Sequence, residues 1–175
     1  MSSSTFLDAI LAFFKSLFVK PMPPEITPEV PKQPSRSEEL AVYAKSRLNE
    51  HLTMDESVPW GVGCAEAISR ILHDFGVSGI PTKGIPGTAG MGTFLRGNKE
   101  CRKVSSPTPG CILLSETGTG NGKIRGHVGI IAPQGNLIYS NNSETGRFGA
   151  HWDIDRWIAY YSNYGGIPTQ FFELI

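Results

Sequence analysis

The sequence has little cysteine, no excess of either charge and no long hydrophobic run, and each absence excludes a class of protein. Three cysteines in 175 residues are too few for a disulfide-stapled fold, and none has the short paired spacing of a zinc site. Sixteen basic residues balance sixteen acidic ones, so no overall field attracts nucleic acid, and we expect no nucleic-acid partner. With 39% hydrophobic residues, the composition is that of one globular domain with additional segments.

The longest apolar run spans residues 6–19 and is interrupted by Asp8, Lys15 and Ser16. It falls short of the ~20 apolar residues of a transmembrane helix. It also lacks the basic residues before the run and the cleavage site after it that mark a secretory signal. On a helix its polar residues fall near one stripe and leave a wide apolar face. We therefore interpret residues 1–19 as an amphipathic helix whose residues 5–19 contact a protein assembly or a membrane surface.

A proline-rich segment separates this helix from the rest of the chain. Residues 20–36 contain six of the thirteen prolines and no hydrophobic period, which predicts an extended linker. The domain is predicted to occupy residues 37–175, with Ser37 as the cap of its first helix and acidic residues in the first turn.

The middle of the chain is rich in glycine. Residues 76–97 do not follow the G-x-x-x-x-G-K-[ST] order of a phosphate-binding loop, and no strand-loop-helix pattern surrounds them. We expect a long irregular loop here, of the kind that lines clefts.

Beyond Pro109 the hydrophobic period becomes strand-like in "GCILLSE", "GHVGIIA", "NLIYSNNS" and the closing "TQFFELI". Between the last two of these strands, "DIDRWIAYY" predicts a short helix capped by Asp153. Helices that precede strands predict an α+β domain, with N-terminal helices packed on one side of a mostly antiparallel sheet.

Cys64 stands out in "SVPWGVGCAEAISRIL" because a helical pattern begins there. The free amides and the dipole of a helix N-terminus stabilise a thiolate, so we expect a lowered pKa and a nucleophilic role for this cysteine. Gly63 lets a substrate backbone approach, and Trp60 is expected to be either a wall of the cleft or a core aromatic residue. The alternative role for Cys64 is that of a small buried hydrophobic residue.

His127 is the predicted base. It opens the apolar strand "GHVGIIA" behind a turn-rich segment, where an imidazole can face a cleft. His51 and His73 fall within helical stretches, and His151 falls in an apparent turn.

A third polar group usually orients the imidazole of a Cys-His pair. In "NLIYSNNS", Tyr139 and Asn141 share one strand face, and Asn141 is preferred over Tyr139 as the orienting group. In "HWDIDRW", the residues His151, Asp153 and Asp155 suggest a metal set, but carboxylates before a helix are more often caps. We expect no metal and no cofactor.

The segments "GCAEAISRIL" and "GHVGIIAPQGNLIYSNNS" resemble the papain-like cysteine peptidoglycan hydrolases, which include NlpC-type endopeptidases and CHAP-type amidases. The resemblance covers residues 39–175. Tyr139 lies where the NlpC type commonly has a histidine, and Asn141 matches the asparagine of the CHAP type, so the subfamily stays open.

The resemblance implies a papain-like fold and attack of Cys64 on an amide of the cell-wall peptide, with His127 as the acid and base. Without a signal peptide, we expect a virion-associated bacteriophage endolysin or an antibacterial protein delivered to the periplasm. Two alternatives remain. One is a catalytically silent binding protein that docks through its N-terminal helix, and the other is a thiol enzyme acting on protein glutamine or another amide.

Overall fold

Helix α1, Arg36–Ser46, opens the part of the chain that the structure describes. This computed structural model describes residues 33–175, so the predicted helix over residues 1–19 and residues 20–32 of the predicted linker lie outside the described residues. The predicted cap at Ser37 is wrong, because Ser35 and Glu38 form a reciprocal capping box instead. Ser37 is buried, and its hydroxyl accepts from the Leu174 N–H at 2.8 Å. That bond ties α1 to the last strand.

Two further helices follow. Helix α2, Cys64–Asp74, forms where the sequence predicts it. Helix α3, Gly87–Gly97, lies within the predicted loop, so that prediction is wrong over its second half. Each interior glycine costs a helix about 1 kcal/mol, but α3 buries Met91 and Leu95, and tertiary packing outweighs propensity. None of the described helices is long and apolar enough to cross a membrane.

Six antiparallel strands form one sheet. Numbered β1 to β6 in chain order, they are Cys101–Val104, Ile112–Ser115, His127–Ile131, Leu137–Asn141, Phe148–Asp153 and Thr169–Leu174. Their order across the sheet is β1-β6-β2-β3-β4-β5. The sequence predicts β2, β3, β4 and β6, but it does not predict β1, and its turn at His151 is wrong because that residue lies in β5. The α+β class is confirmed.

Strand alternation separates two cores. On one face, Val128, Ile130 and Tyr139 join a large core with residues of α1, α2 and α3, so these three helices cover that face. On the other face, Ile131 and Ile138 pack against Trp157 and Tyr161.

The segment that covers the second face is short. Helix α4, Ile154–Trp157, is capped by Asp153, as predicted, because the Asp153 side chain accepts from the Arg156 N–H. A π-helical turn, Ile158–Tyr164, continues it. Single π-helical turns are frequent at functional sites, and this one borders the site described below.

The β3–β4 ladder is short. The register pairs Ile130 with Tyr139 and Ile131 with Ile138. The Ala132 N–H bonds to Leu137 on β4, so by alternation the Val128 N–H also lies on the β4 side of β3. This amide acts on the pKa of the Cys64 thiol.

Candidate active site

The predicted nucleophile occupies the first residue of α2. A 3-10 turn, Trp60–Val62, leads into the helix, and Gly63 is its N-cap without a side-chain bond. The Trp60 carbonyl accepts from the Gly63 N–H and from the Asn141 side chain, whose Nδ2 lies 2.6 Å away. The prediction that Cys64 starts a helix is confirmed. The hydrogen bond from Asn141 fixes the turn before this helix to strand β4.

The electrostatics of Cys64 differ from the expectation. Burial raises the pKa of the Cys64 thiol to about 11, although hydrogen bonds from the N–H groups of Val128, Ala65 and Cys64 itself act in the opposite direction. Only 8% of the residue is exposed. The prediction of a lowered pKa is therefore wrong, because desolvation outweighs the amides at the helix start. The resting form is the neutral thiol.

His127, at the start of β3, sits beside the aromatic residues of the second core. Its ring centroid lies 5.3 Å from that of Trp157 and 6.0 Å from that of Tyr161, with the Tyr161 ring nearly parallel. Burial, with a smaller contribution from His151, lowers the pKa of His127 to about 3. The imidazole is therefore neutral at pH 7 and able to accept a proton.

The side chain that contacts the imidazole is Ser140. The distance from His127 Nε2 to Ser140 Oγ is 3.2 Å, and Ser140 Oγ lies 3.2 Å from His151 Nε2 on the other side. Asn141 instead bonds to Trp60, and Tyr139 packs in the helix-side core with its ring 6.3 Å from that of Phe148. The structure thus places neither predicted orienting residue in hydrogen-bond contact with His127.

Strand geometry explains this placement. His127 shares a face with Gly129 and Ile131, and the observed register puts Ser140 and Ile138 on that same face. Tyr139 and Asn141 do share a face, as predicted, but it is the opposite one.

A cavity of about 550 Å³ is lined by several of the residues that the sequence predicts to act in catalysis. Cys64, His127, Asn141 and His151 all line it. No hydrogen bond joins the Cys64 thiol to the His127 imidazole within residues 33–175, so the two groups share the cavity without direct contact. Asn141 is 1% exposed, and its Oδ1 has no hydrogen-bond partner among residues 33–175, which leaves a buried acceptor at this wall.

The two predicted substrate contacts lie outside the lining of this cavity. Trp60 is largely exposed, and its ring packs against His51 in a tilted arrangement with ring centroids 4.6 Å apart. A Cβ on Gly63 would come within 2.5 Å of Thr53 Cγ2, so glycine at this position serves the packing of the turn.

Three charged side chains stand at the cavity. Arg125, Arg156 and Glu144 line it, and within residues 33–175 none of them forms an ion pair. The Arg156 guanidinium lies over the Trp152 ring, 5.7 Å from its centroid. The excess of positive charge favours a ligand that carries a carboxylate.

Sequence reasoning missed Ser140, His151 and Arg156 as site residues. The available signal was "HWDIDRW", in which a histidine and an arginine flank a helix cap. Its metal interpretation gains no support, since the described residues contain no group of three or more His, Cys, Asp or Glu that could hold an ion. No protein-family model and no curated protein matches the chain.

Proposed function

We propose that this protein is a cysteine amidohydrolase of papain-like fold that cleaves an amide bond in the peptide of peptidoglycan. The observation that carries the proposal is the meeting of Cys64, at the start of a helix, and His127, a neutral imidazole, in one cavity. The substrate class rests on the sequence resemblance, and the unpaired arginines at the cavity suit the free carboxylates of cell-wall peptides.

The first half-reaction forms a thioester. The Cys64 sulfur attacks the amide carbon as the thiol proton passes to His127, and the resulting imidazolium protonates the departing amine. The resting pair is neutral, so in this mechanism the proton moves to His127 as the sulfur attacks and not before. In this mechanism Cys64 loses its proton during the reaction, whereas the sequence predicts a thiolate that is present before the substrate binds.

The second half-reaction releases the acid. His127 takes a proton from water, the water oxygen attacks the thioester carbon, and the thiolate leaves and is reprotonated. The backbone N–H groups of Cys64, Ala65 and Val128 act to lower the pKa of the Cys64 thiol. Such amides stabilise the negative charge that develops on sulfur and on the adjacent oxygen of each tetrahedral intermediate.

Mass spectrometry of fragments released from purified cell walls tests this function. The full chain, kept reduced, should produce soluble fragments with one type of new peptide end, and that end identifies the bond that is cut. The same chain with His127→Gln should release none at pH 7, because glutamine cannot accept the proton. Walls of several chemotypes that remain intact with the native chain would refute the hydrolase.

Arg156 offers a prediction about substrate charge. Arg156→Gln should raise KM about tenfold with little change in kcat, because one charge-assisted hydrogen bond to a substrate carboxylate contributes about 1.5–3 kcal/mol. Arg156→Lys, which keeps the charge, should recover much of the loss. Arg102→Gln, which removes an arginine paired with Glu173 at the other end of the sheet, is the matched control. A KM unaffected by Arg156→Gln would exclude this contact.

The buried neutral thiol also fits a second candidate, a silent relative that binds cell-wall peptide without cutting it. A cysteine retained only for packing has the same raised pKa. Sedimentation with intact walls, combined with the absence of released fragments, would identify this binding protein.

A further inference from the structure

Tyr161 brings to the cavity a hydroxyl group that has no hydrogen-bond partner within residues 33–175. The residue is 5% exposed and lines the cavity together with Cys64 and His127. In the same part of the chain, the side-chain atoms that are both fully enclosed and unpartnered belong to Asn141 and His151. The Tyr161 hydroxyl is not among them, so it reaches open space, and the open space that this residue lines is the cavity.

The other buried hydroxyl and amide donors at the cavity are already engaged. Thr88 is 4% exposed, and its hydroxyl donates to Thr117 Oγ1 at 2.8 Å. Asn141 donates through Nδ2 to the Trp60 carbonyl at 2.6 Å. A buried donor normally has an acceptor, because the loss of its hydration is otherwise uncompensated. Among the described residues, Tyr161 is therefore the buried hydroxyl donor that remains for a ligand.

The ring of Tyr161 is held in place by aromatic neighbours. Its centroid lies 4.7 Å from that of Trp157, 5.0 Å from that of Tyr160 and 5.6 Å from that of Trp152. The ring of His127 is nearly parallel to it, with an angle of 11° and centroids 6.0 Å apart. A hydroxyl on such a support is oriented before a ligand arrives.

The surroundings of this hydroxyl indicate what it would bind. Burial raises the pKa of Tyr161, and negative charge on Cys64 raises it further, so the hydroxyl keeps its proton at neutral pH. When the Cys64 sulfur attacks an amide, the carbonyl oxygen on the attacked carbon becomes an oxyanion. A fixed neutral donor in a shielded cavity stabilises this oxyanion more than it stabilises the uncharged carbonyl of the substrate.

We propose that Tyr161 is a catalytic residue whose hydroxyl donates to the oxyanion of each tetrahedral intermediate formed at Cys64. The proposal rests on the proposed function, because it names a donor for the charge that the thioester mechanism creates. No proton is transferred from the phenol. The hydrogen bond strengthens as the carbonyl oxygen becomes negative, and it weakens when the carbon–nitrogen or carbon–sulfur bond breaks and the carbonyl forms again.

Tyr161→Phe tests this role, because it removes the hydroxyl and keeps the ring. The hydroxyl has no partner in the fold, so the melting temperature should stay within about 2 °C of the native value. For release of fragments from purified walls, kcat should fall about 100-fold, the low end of the loss when one oxyanion donor is removed. KM should change by less than about threefold, since the bond gains its strength in the transition state.

Tyr164→Phe is the matched control for this variant. It makes the same chemical change in the same π-helical turn, at a residue that is 55% exposed and does not line the cavity. Its kcat and KM should both stay within about twofold of the native values.

Acetaldehyde labelled with ¹³C at its carbonyl carbon provides a measurement that needs no wall. The Cys64 sulfur adds to this carbon and the thiol proton ends on the aldehyde oxygen, which gives a hemithioacetal with its oxygen in the place of the oxyanion. Carbon-13 spectra of the full chain, with Cys64→Ala as the blank, measure the dissociation constant of this adduct. Tyr161→Phe should raise that constant about tenfold, near the upper end for one neutral hydrogen bond, and Tyr164→Phe should leave it unchanged.

The two proposals can fail separately. Walls cut by a folded Tyr161→Phe chain with kcat within about twofold of native would keep the hydrolase and overturn the Tyr161 donor. Walls left intact by the native chain would refute the hydrolase, and the adduct then decides. An adduct that is weakened about tenfold by Tyr161→Phe supports the donor. Equal dissociation constants, or no adduct with the native chain, overturn it.

Discussion

Replacing Cys64 by alanine should lower kcat/KM for release of cell-wall fragments by at least about 10⁴-fold, because loss of the nucleophile removes the covalent route altogether. Alanine suits this position in other respects, since it is a good helix former and Cys64 begins α2 in a buried site. The loss should therefore appear with little change in circular dichroism or melting temperature. Release rates and thermal unfolding, measured on the same preparation, check both parts.

Cys111→Ala is the matched control for this variant. Cys111 is also buried and free, but it belongs to the second core, and its sulfur lies 3.1 Å from Thr108 Oγ1. Its removal should leave activity within about twofold, because it does not line the cavity. Cys64→Ser should be nearly as inactive as the alanine variant, since a hydroxyl is the weaker nucleophile. Normal rates in a folded Cys64→Ala protein would eliminate the thioester mechanism.

The raised pKa of Cys64 determines how the nucleophile in this prediction can form. With the pKa at about 11, only about one thiol in ten thousand is ionised at pH 7. Rapid alkylation of Cys64 at neutral pH is therefore not expected. In the proposed mechanism, proton transfer to His127 therefore takes place within the substrate complex.

Strong local patterns explain the parts of the fold that the sequence predicts. The apolar spacing after Cys64 defines α2, and the alternating strands that begin at Ile112 and His127 define the middle of the sheet. Each of these signals lies within one element. They are sufficient to place Cys64 at the start of a helix and His127 at the start of a strand.

Long-range geometry explains what the sequence does not predict. Choosing Ser140 over Asn141 requires the register of β4 against β3, and a shift of one residue exchanges the two faces. His151 lies on β5, whose sequence "FGAHWD" shows no clean alternation. The raised pKa of Cys64 depends on burial under other elements, which no local pattern reports.

Acid should destabilise the protein through His127. Its pKa is about 3 in the folded protein against 6.5 as a free side chain, so between these values the unfolded chain binds a proton that the folded chain does not. Stability therefore rises with pH in this window and falls as the pH is lowered. From pH 7 to pH 5, His127 alone should reduce the free energy of unfolding by up to about 2 kcal/mol.

Urea unfolding of the native chain and of His127→Gln at pH 7 and pH 5 measures this contribution. Glutamine can still donate to Ser140 but does not titrate, so its variant should lose up to about 2 kcal/mol less between the two pH values. The pH range avoids Asp74, whose pKa of about 2 brings its own destabilisation only in stronger acid.

Equal pH dependence in the native and His127→Gln proteins would mean that the imidazole takes up a proton in the folded state near its ordinary pKa. Water from the cavity would then reach His127 and would favour its charged form. A positively charged His127 in the resting enzyme could not accept the Cys64 proton. The neutral pair would have to be replaced by a thiolate–imidazolium pair formed before the substrate binds.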